Sequence, residues 1–185
     1  LNDYIKKESD ELKKNLGDVN ILAIDLYEGK VADNREDAAK YMQSVNQERA
    51  LNIVTGAIDF AGKDAKIGTI GWCFGGGWSL QASIMAGKQG SACVMYYGII
   101  ENKPETFKEL NAPVLGIFAE KDGWVNPEVY GNLEKNIKAA GKNITVKSFD
   151  ADHAFANPSN AKFDEAATNE AKDLTLKFFN ENLMK

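Results

Sequence analysis

The sequence predicts an α/β protein, a three-layer sandwich around a mainly parallel sheet of about five strands. Apolar runs of strand length alternate with longer helical patterns, an order typical of strand–helix–strand units. Of the 185 residues, 44% are hydrophobic, which is enough apolar material for one core. The chain has no Pro/Gly/Ser-rich linker and no internal repeat, so we expect residues 1–185 to form a single domain.

Capping residues and glycines bound the predicted helices. The first helix spans about 3–15 and ends at Gly17, and a long helical region over 34–61 has Asp33 or Asn34 as its N-cap. The other predicted helices span 75–86, 127–140 and 161–183. The predicted strands span 19–27, 66–72, 92–97, 113–119 and 144–149. Because ligands bind at the carboxyl ends of parallel strands, functional residues are expected there.

Composition and charge argue against several classes of protein. A net charge of −5, spread along the chain, disfavours a nucleic-acid surface. No apolar run approaches the ~18 residues of a membrane span. One histidine, His153, and two separated cysteines form no metal-ligand cluster, so no metal site is predicted. The sequence starts at Leu1 rather than Met, and a signal peptide would lie ahead of Leu1. We expect a cytoplasmic location.

The second predicted strand runs directly into Gly71-Trp72-Cys73-Phe74-Gly75 and then into a helix. A nucleophile between two glycines at such a turn is the nucleophile elbow, here with Cys instead of Ser. The turn is tight, so a side chain at Gly71 or Gly75 is expected to collide with neighbouring backbone. The helix N-terminus favours a thiolate at Cys73, and the backbone N–H of Phe74 is a candidate oxyanion donor.

The alternative interpretation of this motif is a glycine-rich contact between helix and sheet that buries an inert cysteine. Cys93 provides the contrast, because it lies in the middle of an apolar strand without a glycine turn. We therefore expect Cys93 to be structural and Cys73 to be reactive.

A base and an orienting acid for Cys73 follow later strands. Asp122 comes just after strand 113–119, and His153 comes just after strand 144–149. The order nucleophile, acid, histidine is the one found in α/β-hydrolases. Since all three residues follow the carboxyl ends of strands, they are predicted to meet at one edge of the sheet.

Other carboxylates compete with Asp122 for this role, and Asp122-Gly123 by itself is also compatible with a simple turn. Glu120 is a rival acid, but the strand pleat is expected to turn it away. Asp150 and Asp152 are close to His153 in sequence and are expected to be solvated loop residues.

These residues resemble the dienelactone hydrolase (carboxymethylenebutenolidase) family. The resemblance is carried by the elbow Gly-Trp-Cys-Phe-Gly-Gly at 71–76, by Asp-Leu-Tyr at 25–27, and by Asp-His-Ala-Phe at 152–155, and it extends over essentially the whole chain. It implies an α/β-hydrolase-like fold. It also implies Cys73 as nucleophile, His153 as base, Asp122 as orienter, hydrolysis of esters or lactones through an acyl-thioester, and no cofactor.

The chain departs from the family pattern in two ways. The family has strands before this chain's first helix, one of which carries a glutamate that contacts the resting thiol, with the second oxyanion donor next to it. The chain thus resembles an N-terminally truncated member; the alternatives are a sheet that closes differently and a partner chain that fills the gap. Where the family has an arginine that binds the substrate carboxylate, four residues after the histidine, this chain has Asn157. Arg35, Trp124 and Phe155 are the candidates for substrate binding, with a helix-surface role as the alternative for Arg35 and buried packing for Trp124.

Two further functions remain open from the sequence. The first is a weak or inactive α/β domain that serves as a binding or interaction module. The second is a thiol peptidase or transferase that uses the same three residues. The favoured interpretation is a Cys–His–Asp hydrolase of small esters or lactones, with no nucleic-acid or membrane partner and a homodimer as a candidate assembly.

Overall fold

The computed structural model describes residues 1–32 and 34–184, except for the side chain of Arg35. The chain divides into two compact units, Leu1–Lys63 and Asp64–Lys185. The single domain expected from the sequence stays a prediction. Over the described residues, every helix is too short or too polar to cross a membrane.

The first unit contains three helices, each capped by an asparagine. They are α1 (Asp3–Leu16), α2 (Arg35–Gln43) and α3 (Gln47–Ala61). The side chains of Asn2, Asn34 and Asn46 each accept a hydrogen bond from a backbone N–H of the first turn. The helical region predicted over 34–61 is therefore divided into two helices, because the cap at Asn46 starts a second one. Asp33, the other predicted cap of α2, lies outside the described residues.

The strand predicted over 19–27 is also wrong, and the sheet has four strands rather than about five. Within the described residues, this segment makes no strand hydrogen bonds, and Ile21 and Leu22 are 38% and 55% exposed. Its end is a turn in which the Asp25 carboxylate accepts the N–H groups of Tyr27 and Gly29. Apolar composition favours a strand, but a strand forms only where a neighbour supplies the ladder of hydrogen bonds.

The second unit is built on a parallel sheet in the order β1-β2-β3-β4. The strands are β1 (Ile67–Trp72), β2 (Gly90–Tyr96), β3 (Val114–Ala119) and β4 (Ile144–Phe149), close to the predicted bounds. Cys93 pairs with Thr69 of β1 on one side and with Val114 of β3 on the other. β2 and β3 are almost entirely buried, which explains why their sequences are continuous apolar runs.

Three helices connect these strands and follow the last one. They are α4 (Phe74–Ala86), α5 (Pro127–Ala139) and α6 (Glu165–Asn182), with short 3₁₀ turns at Gly87–Gln89 and Pro104–Phe107. Proline at the first position of α5 and Gly141 with φ +74° after its end agree with the predicted boundaries. α6 begins later than predicted because Asp164 caps it, accepting the N–H of Ala167.

The helices lie on both faces of the sheet. Met95 belongs to the core cluster that includes Leu80 of α4 and Leu133 of α5. The adjacent Tyr96 points to the other face, where its hydroxyl hydrogen-bonds Thr175 of α6 at 2.8 Å. This unit is therefore the three-layer α/β arrangement that the sequence predicts. Its carboxyl strand ends lead directly into Cys73, Asp122 and His153.

Candidate active site

Cys73 lies between β1 and α4 in a backbone conformation that is rare for a residue with a side chain. Its φ is +54° and its ψ is −119°. Its N–H donates to Tyr96 O at 3.0 Å, and its carbonyl accepts from Gly76 N at 2.9 Å and Gly77 N at 3.2 Å. Backbone strain of this kind persists only where surrounding contacts over-determine the turn. These bonds fix the strained turn at the N-terminus of α4.

The glycines confirm one part of the elbow prediction and correct another. A Cβ on Gly71 would lie 2.0 Å from Gly75 O, so a side chain there is excluded. The collision expected at Gly75 is wrong, because nothing lies within 4 Å of a Cβ built there. Close approaches also occur at Gly76, where a Cβ would lie 2.6 Å from the carbonyl oxygen of the last β2 residue, and at Gly98, where it would lie 2.7 Å from Cys73 O. Gly98 follows β2, so the local elbow motif gave no indication of it.

The three predicted residues meet at the carboxyl edge of the sheet. His153 Nε2 lies 3.2 Å from Cys73 Sγ, and His153 Nδ1 lies 2.5 Å from Asp122 Oδ2. Asp122 is only 3% exposed. Its other oxygen accepts the N–H groups of Trp124 at 2.8 Å and Val125 at 2.9 Å. The turn after β3 therefore fixes the carboxylate, and the carboxylate orients the imidazole toward the thiol.

The imidazole sits between two groups that carry negative charge when ionised. Burial opposes the charge on His153, but hydrogen bonds and charge attraction from Cys73 and Asp122 prevail and raise its pKa from 6.5 to about 9. The N-terminus of α4 favours negative charge at Cys73. The site therefore favours the protonated imidazole beside the Cys73 sulfur.

The rival carboxylates have other partners. Glu120 is exposed and accepts a hydrogen bond from Ser148 Oγ at 2.7 Å. Asp150 pairs with Lys121 at 2.7 Å, and Asp152 pairs with Lys162 at 3.5 Å. As expected from the strand pleat and the loop, these three carboxylates point elsewhere.

Among the substrate-binding candidates, Trp124 is the one with an exposed side chain beside the imidazole. Trp124 is 55% exposed, and its ring centroid lies 5.8 Å from that of His153. Phe155 is fully buried, with its ring 5.6 Å from that of Tyr97, so the structure gives it a packing position behind the histidine. Arg35 is the first residue of α2 in the other unit, and its side chain lies outside the described part of the structure. Substrate binding by these residues stays a prediction.

Phe74 is the first residue of α4, and the first N–H groups of a helix point away from its body. Its role as an oxyanion donor also stays a prediction. Phe74 follows the nucleophile directly, which is the position that the elbow motif assigns to an oxyanion donor.

Sequence reasoning missed two residues that support the histidine. Tyr97 follows β2 with φ +36°, is 1% exposed, and places its ring 5.1 Å from the imidazole. Asn160 donates from Nδ2 to the backbone carbonyl of His153 at 3.0 Å. The run Asn157-Pro158-Ser159-Asn160 signals a turn, but composition does not indicate which carbonyl an asparagine in that turn will bind.

Cys93 lies in the centre of β2 and is fully buried. Ser79 Oγ is 3.7 Å from its sulfur. Burial raises the pKa of the Cys93 thiol, more strongly than its hydroxyl neighbours lower it. The environment is therefore that of an inert core thiol.

The sequence is similar to those of known proteins over most of its length. The model of the dienelactone hydrolase family matches residues 15–183. Protein usf of Aquifex pyrophilus is 30% identical over 171 residues, which cover 87% of this chain and 74% of that protein. Carboxymethylenebutenolidase 1 of Cupriavidus pinatubonensis is 27% identical over 154 residues, which cover 80% of this chain and 64% of that protein.

A solved structure shows the same fold. A dienelactone hydrolase-like promiscuous phosphotriesterase from metagenomic libraries superimposes with a TM-score of 0.73 at 19% identity, covering 98% of this chain and 81% of that one. At this identity the likeness concerns the fold alone. It confirms the predicted α/β fold of the hydrolase type with its mainly parallel sheet.

Proposed function

This chain belongs to the dienelactone hydrolase family, and we propose that it cleaves small esters or lactones through Cys73, His153 and Asp122 by way of an acyl-thioester. The observation that carries the proposal is the continuous line of contacts from carboxylate to imidazole to thiol, at 2.5 Å and 3.2 Å. Each group is held by a different strand end, so the line depends on the whole sheet. A nucleophile, a base and an orienter in hydrogen-bond reach are the parts that acyl transfer requires.

The first half of the reaction forms the thioester. The Cys73 sulfur, its proton held on His153 Nε2, attacks the carbonyl carbon, and the carbonyl electrons move onto oxygen. The tetrahedral oxyanion then collapses, the carbon–oxygen bond to the alcohol breaks, and His153 gives its proton to the leaving alkoxide. In a lactone, that hydroxyl remains attached to the acyl group. The raised pKa of His153, about 9, suits a group that must hold this proton until the leaving group departs.

The second half releases the acid. A water molecule gives a proton to His153 Nε2 while its oxygen attacks the thioester carbon. The carbon–sulfur bond breaks, the carboxylic acid leaves, and the thiolate–imidazolium pair is restored. Asp122 keeps its position throughout, because its oxygens accept three hydrogen bonds, from the imidazole and from the backbone N–H groups of Trp124 and Val125.

We assign the binding of the developing oxyanion to the N-terminus of α4. Phe74 N–H follows the nucleophile directly, and the helix dipole adds partial positive charge at this point. One such donor contributes ~3 kcal/mol of transition-state stabilisation. The exposed ring of Trp124 beside His153 offers an apolar wall for a small acyl or alcohol group. The family and the carboxymethylenebutenolidase relative support a lactone or ester as the substrate class.

Hydrolysis of p-nitrophenyl acetate tests the proposal. Wild type, Cys73→Ala, Cys73→Ser and Cys93→Ala are compared, the last being a matched cysteine removal outside the site. We expect both Cys73 variants to lose turnover and Cys93→Ala to keep it. Acid quenching during turnover should leave one acetyl group on the peptide that contains Cys73. Wild-type turnover by Cys73→Ala would refute the thiol mechanism.

A further inference from the structure

We propose that Asn160 is a positioning residue for His153, whose side-chain amide fixes the backbone segment that carries the imidazole. The contacts that carry this inference are structural, and only its catalytic consequence rests on the proposed function.

The backbone at His153 needs an external restraint. Residues 150–164 connect β4 to α6 without helix or strand, so they lack regular backbone hydrogen bonds. Ala154, directly after the histidine, has φ +60°, the left-handed region that a residue with a Cβ adopts at a cost in free energy. The imidazole is therefore attached to a segment that we expect to adopt another conformation without restraining contacts.

The Asn160 amide holds the peptide groups on both sides of Ala154. Its Nδ2 donates to His153 O at 3.0 Å and to Ala154 O at 3.3 Å. These carbonyls belong to the peptide units before and after the Ala154 Cα. Ala154 O also accepts the backbone N–H of Asn157 at 3.0 Å. The Asn160 NH₂ group adds a second bond there and links it to His153 O, which restrains the two backbone dihedrals of Ala154 and, through them, the direction of the His153 side chain.

Asn160 is itself well anchored. Its Oδ1 accepts the N–H of Lys162 at 3.1 Å. Its backbone N–H donates to Asn157 O at 2.9 Å, and its carbonyl accepts from Phe163 N at 3.0 Å. With both ends of the side-chain amide occupied, its orientation is set by the hydrogen-bond network. The restraint on the histidine is therefore transmitted from a rigid turn.

The far end of the same loop is tied to α6 by other groups. Phe155 O accepts a hydrogen bond from Asp164 N at 3.0 Å and one from Thr168 Oγ1 at 3.2 Å. Removing the Asn160 side chain would leave these bonds intact. The expected effect is thus a local loss of order at His153 and Ala154 rather than detachment of the loop.

The catalytic consequence follows from the distances. The imidazole must stay in line with Asp122 and Cys73, at 2.5 Å and 3.2 Å, to move a proton between them. A displacement of ~1 Å at a reacting group reduces turnover about 100-fold. We therefore expect Asn160→Ala to lower kcat by roughly that factor with little change in KM.

The decisive experiment uses the fact that His153 is the only histidine in the chain. Its ring resonances are followed by NMR against pH in wild type, Asn160→Ala and Asn157→Ala, and Cys73 alkylation by iodoacetamide is timed in the same proteins. Asn157 is the matched control, because its side chain caps the same turn through Ser159 N at 3.0 Å without touching the histidine carbonyl.

We expect the pKa of His153 to fall from about 9 toward 6.5 in Asn160→Ala, because the ring no longer faces Cys73 and Asp122 steadily. The substitution changes no charge, and the nearby Asp152–Lys162 pair is exposed to solvent, with 3.5 Å between its charged atoms. Solvent screening keeps the effect of that pair on the imidazole small, so the shift reports geometry. Cys73 alkylation at neutral pH should slow by ~10-fold or more. Asn157→Ala should match wild type in both measurements.

A folded Asn160→Ala protein with the wild-type titration and alkylation rate would overturn the proposal. Should Asn160→Ala not fold, Asn160→Ser, which is too short to bind both carbonyls, is judged by the same two measurements. Neither measurement needs ester turnover. An inactive wild type would therefore count against the proposed function, while the titration and alkylation would still decide the role of Asn160.

Discussion

Cys73 and Cys93 lie at neighbouring strands of one parallel sheet, Cys73 just after β1 and Cys93 within β2, but their surroundings differ in partner, exposure and backbone. Cys73 follows the end of β1, is partly exposed, and has an imidazole nitrogen 3.2 Å from its sulfur. Cys93 lies in the middle of β2, is fully buried, and has a serine hydroxyl 3.7 Å away. The backbone at Cys73 is left-handed with φ +54°, whereas Cys93 has regular strand pairing on both sides.

This difference predicts that position along a strand decides whether a thiol is reactive. The centre of a buried strand provides only desolvation, which raises the pKa of the Cys93 thiol. The end of a strand provides a helix N-terminus and access to residues from other strand ends. The position proposed to be reactive also lies in a strained turn, and we expect that turn to lower the stability of the fold.

The largest expected effect is a loss of ester turnover when the carboxylate charge of Asp122 is removed. This charge distinguishes the surroundings of Cys73 from those of Cys93. Asp122→Asn keeps an oxygen to accept the N–H groups of Trp124 and Val125, so the turn should stay folded. The imidazole loses its anionic partner, and we expect ester turnover to fall by about 10⁴-fold, as in other triads. Steady-state kinetics measure it, with Glu120→Gln as the control, because Glu120 bonds Ser148 instead. Unchanged turnover in Asp122→Asn would mean that Asp122 is only a turn residue.

The sequence predicted the elements whose signal is local and buried. β2 and β3 are continuous apolar runs, and a buried run of that length has few other ways to pair its backbone. Residues 19–27 have a similar composition, yet they form no strand, because pairing depends on a neighbour that the run itself does not specify. The break between α2 and α3 depends on one asparagine cap, which a periodic apolar pattern does not indicate.

The site could be predicted to the same extent and for a similar reason. Cys73, Asp122 and His153 each follow a strand, so fold topology alone brings them to one edge. Asn160 acts through the backbone carbonyl of His153, next to the left-handed Ala154. Tyr97 has a left-handed backbone conformation itself. Such conformations are decided by tertiary contacts, and neither residue type nor spacing indicates them.

Thiol alkylation compares the two cysteines directly. In the native protein, iodoacetamide should label Cys73 at least ~100-fold faster than Cys93, since Cys93 reacts only when the core opens. Peptide mapping by mass spectrometry gives the two rates, and labelling in concentrated urea provides the control in which both thiols are exposed. Equal native rates would show that the partners of Cys73 give it no special reactivity.

The pH dependence of stability tests whether the imidazole is charged beside Cys73. The native pKa of His153 is raised from 6.5 to about 9, so the folded protein favours the protonated ring. The stability from this charge is complete below about pH 6.5 and is lost as the pH rises through about 9.

Urea unfolding across this pH range should therefore show a decline in wild type and in Cys93→Ala. The decline should be smaller in Cys73→Ala, which lacks one partner of the ring, and absent in His153→Gln. A decline of equal size in His153→Gln would assign it to other groups.

The smallest expected effect is a difference in stability between the alanine and glycine variants, and its sign should be opposite at the two cysteine positions. At position 73, φ +54° strains any residue with a Cβ but not glycine. Cys73→Gly should therefore be more stable than Cys73→Ala by ~1 kcal/mol, even though neither has a nucleophile. At position 93, inside β2, glycine has no strain to relieve and loses more chain entropy on folding, so Cys93→Gly should be less stable than Cys93→Ala by roughly 0.5–1 kcal/mol. Comparing alanine with glycine at each site cancels the loss of the thiol, and urea midpoints give both differences. The same sign at both positions would mean that the elbow is not strained, and the proposed expense of placing a reactive thiol there would have to be withdrawn.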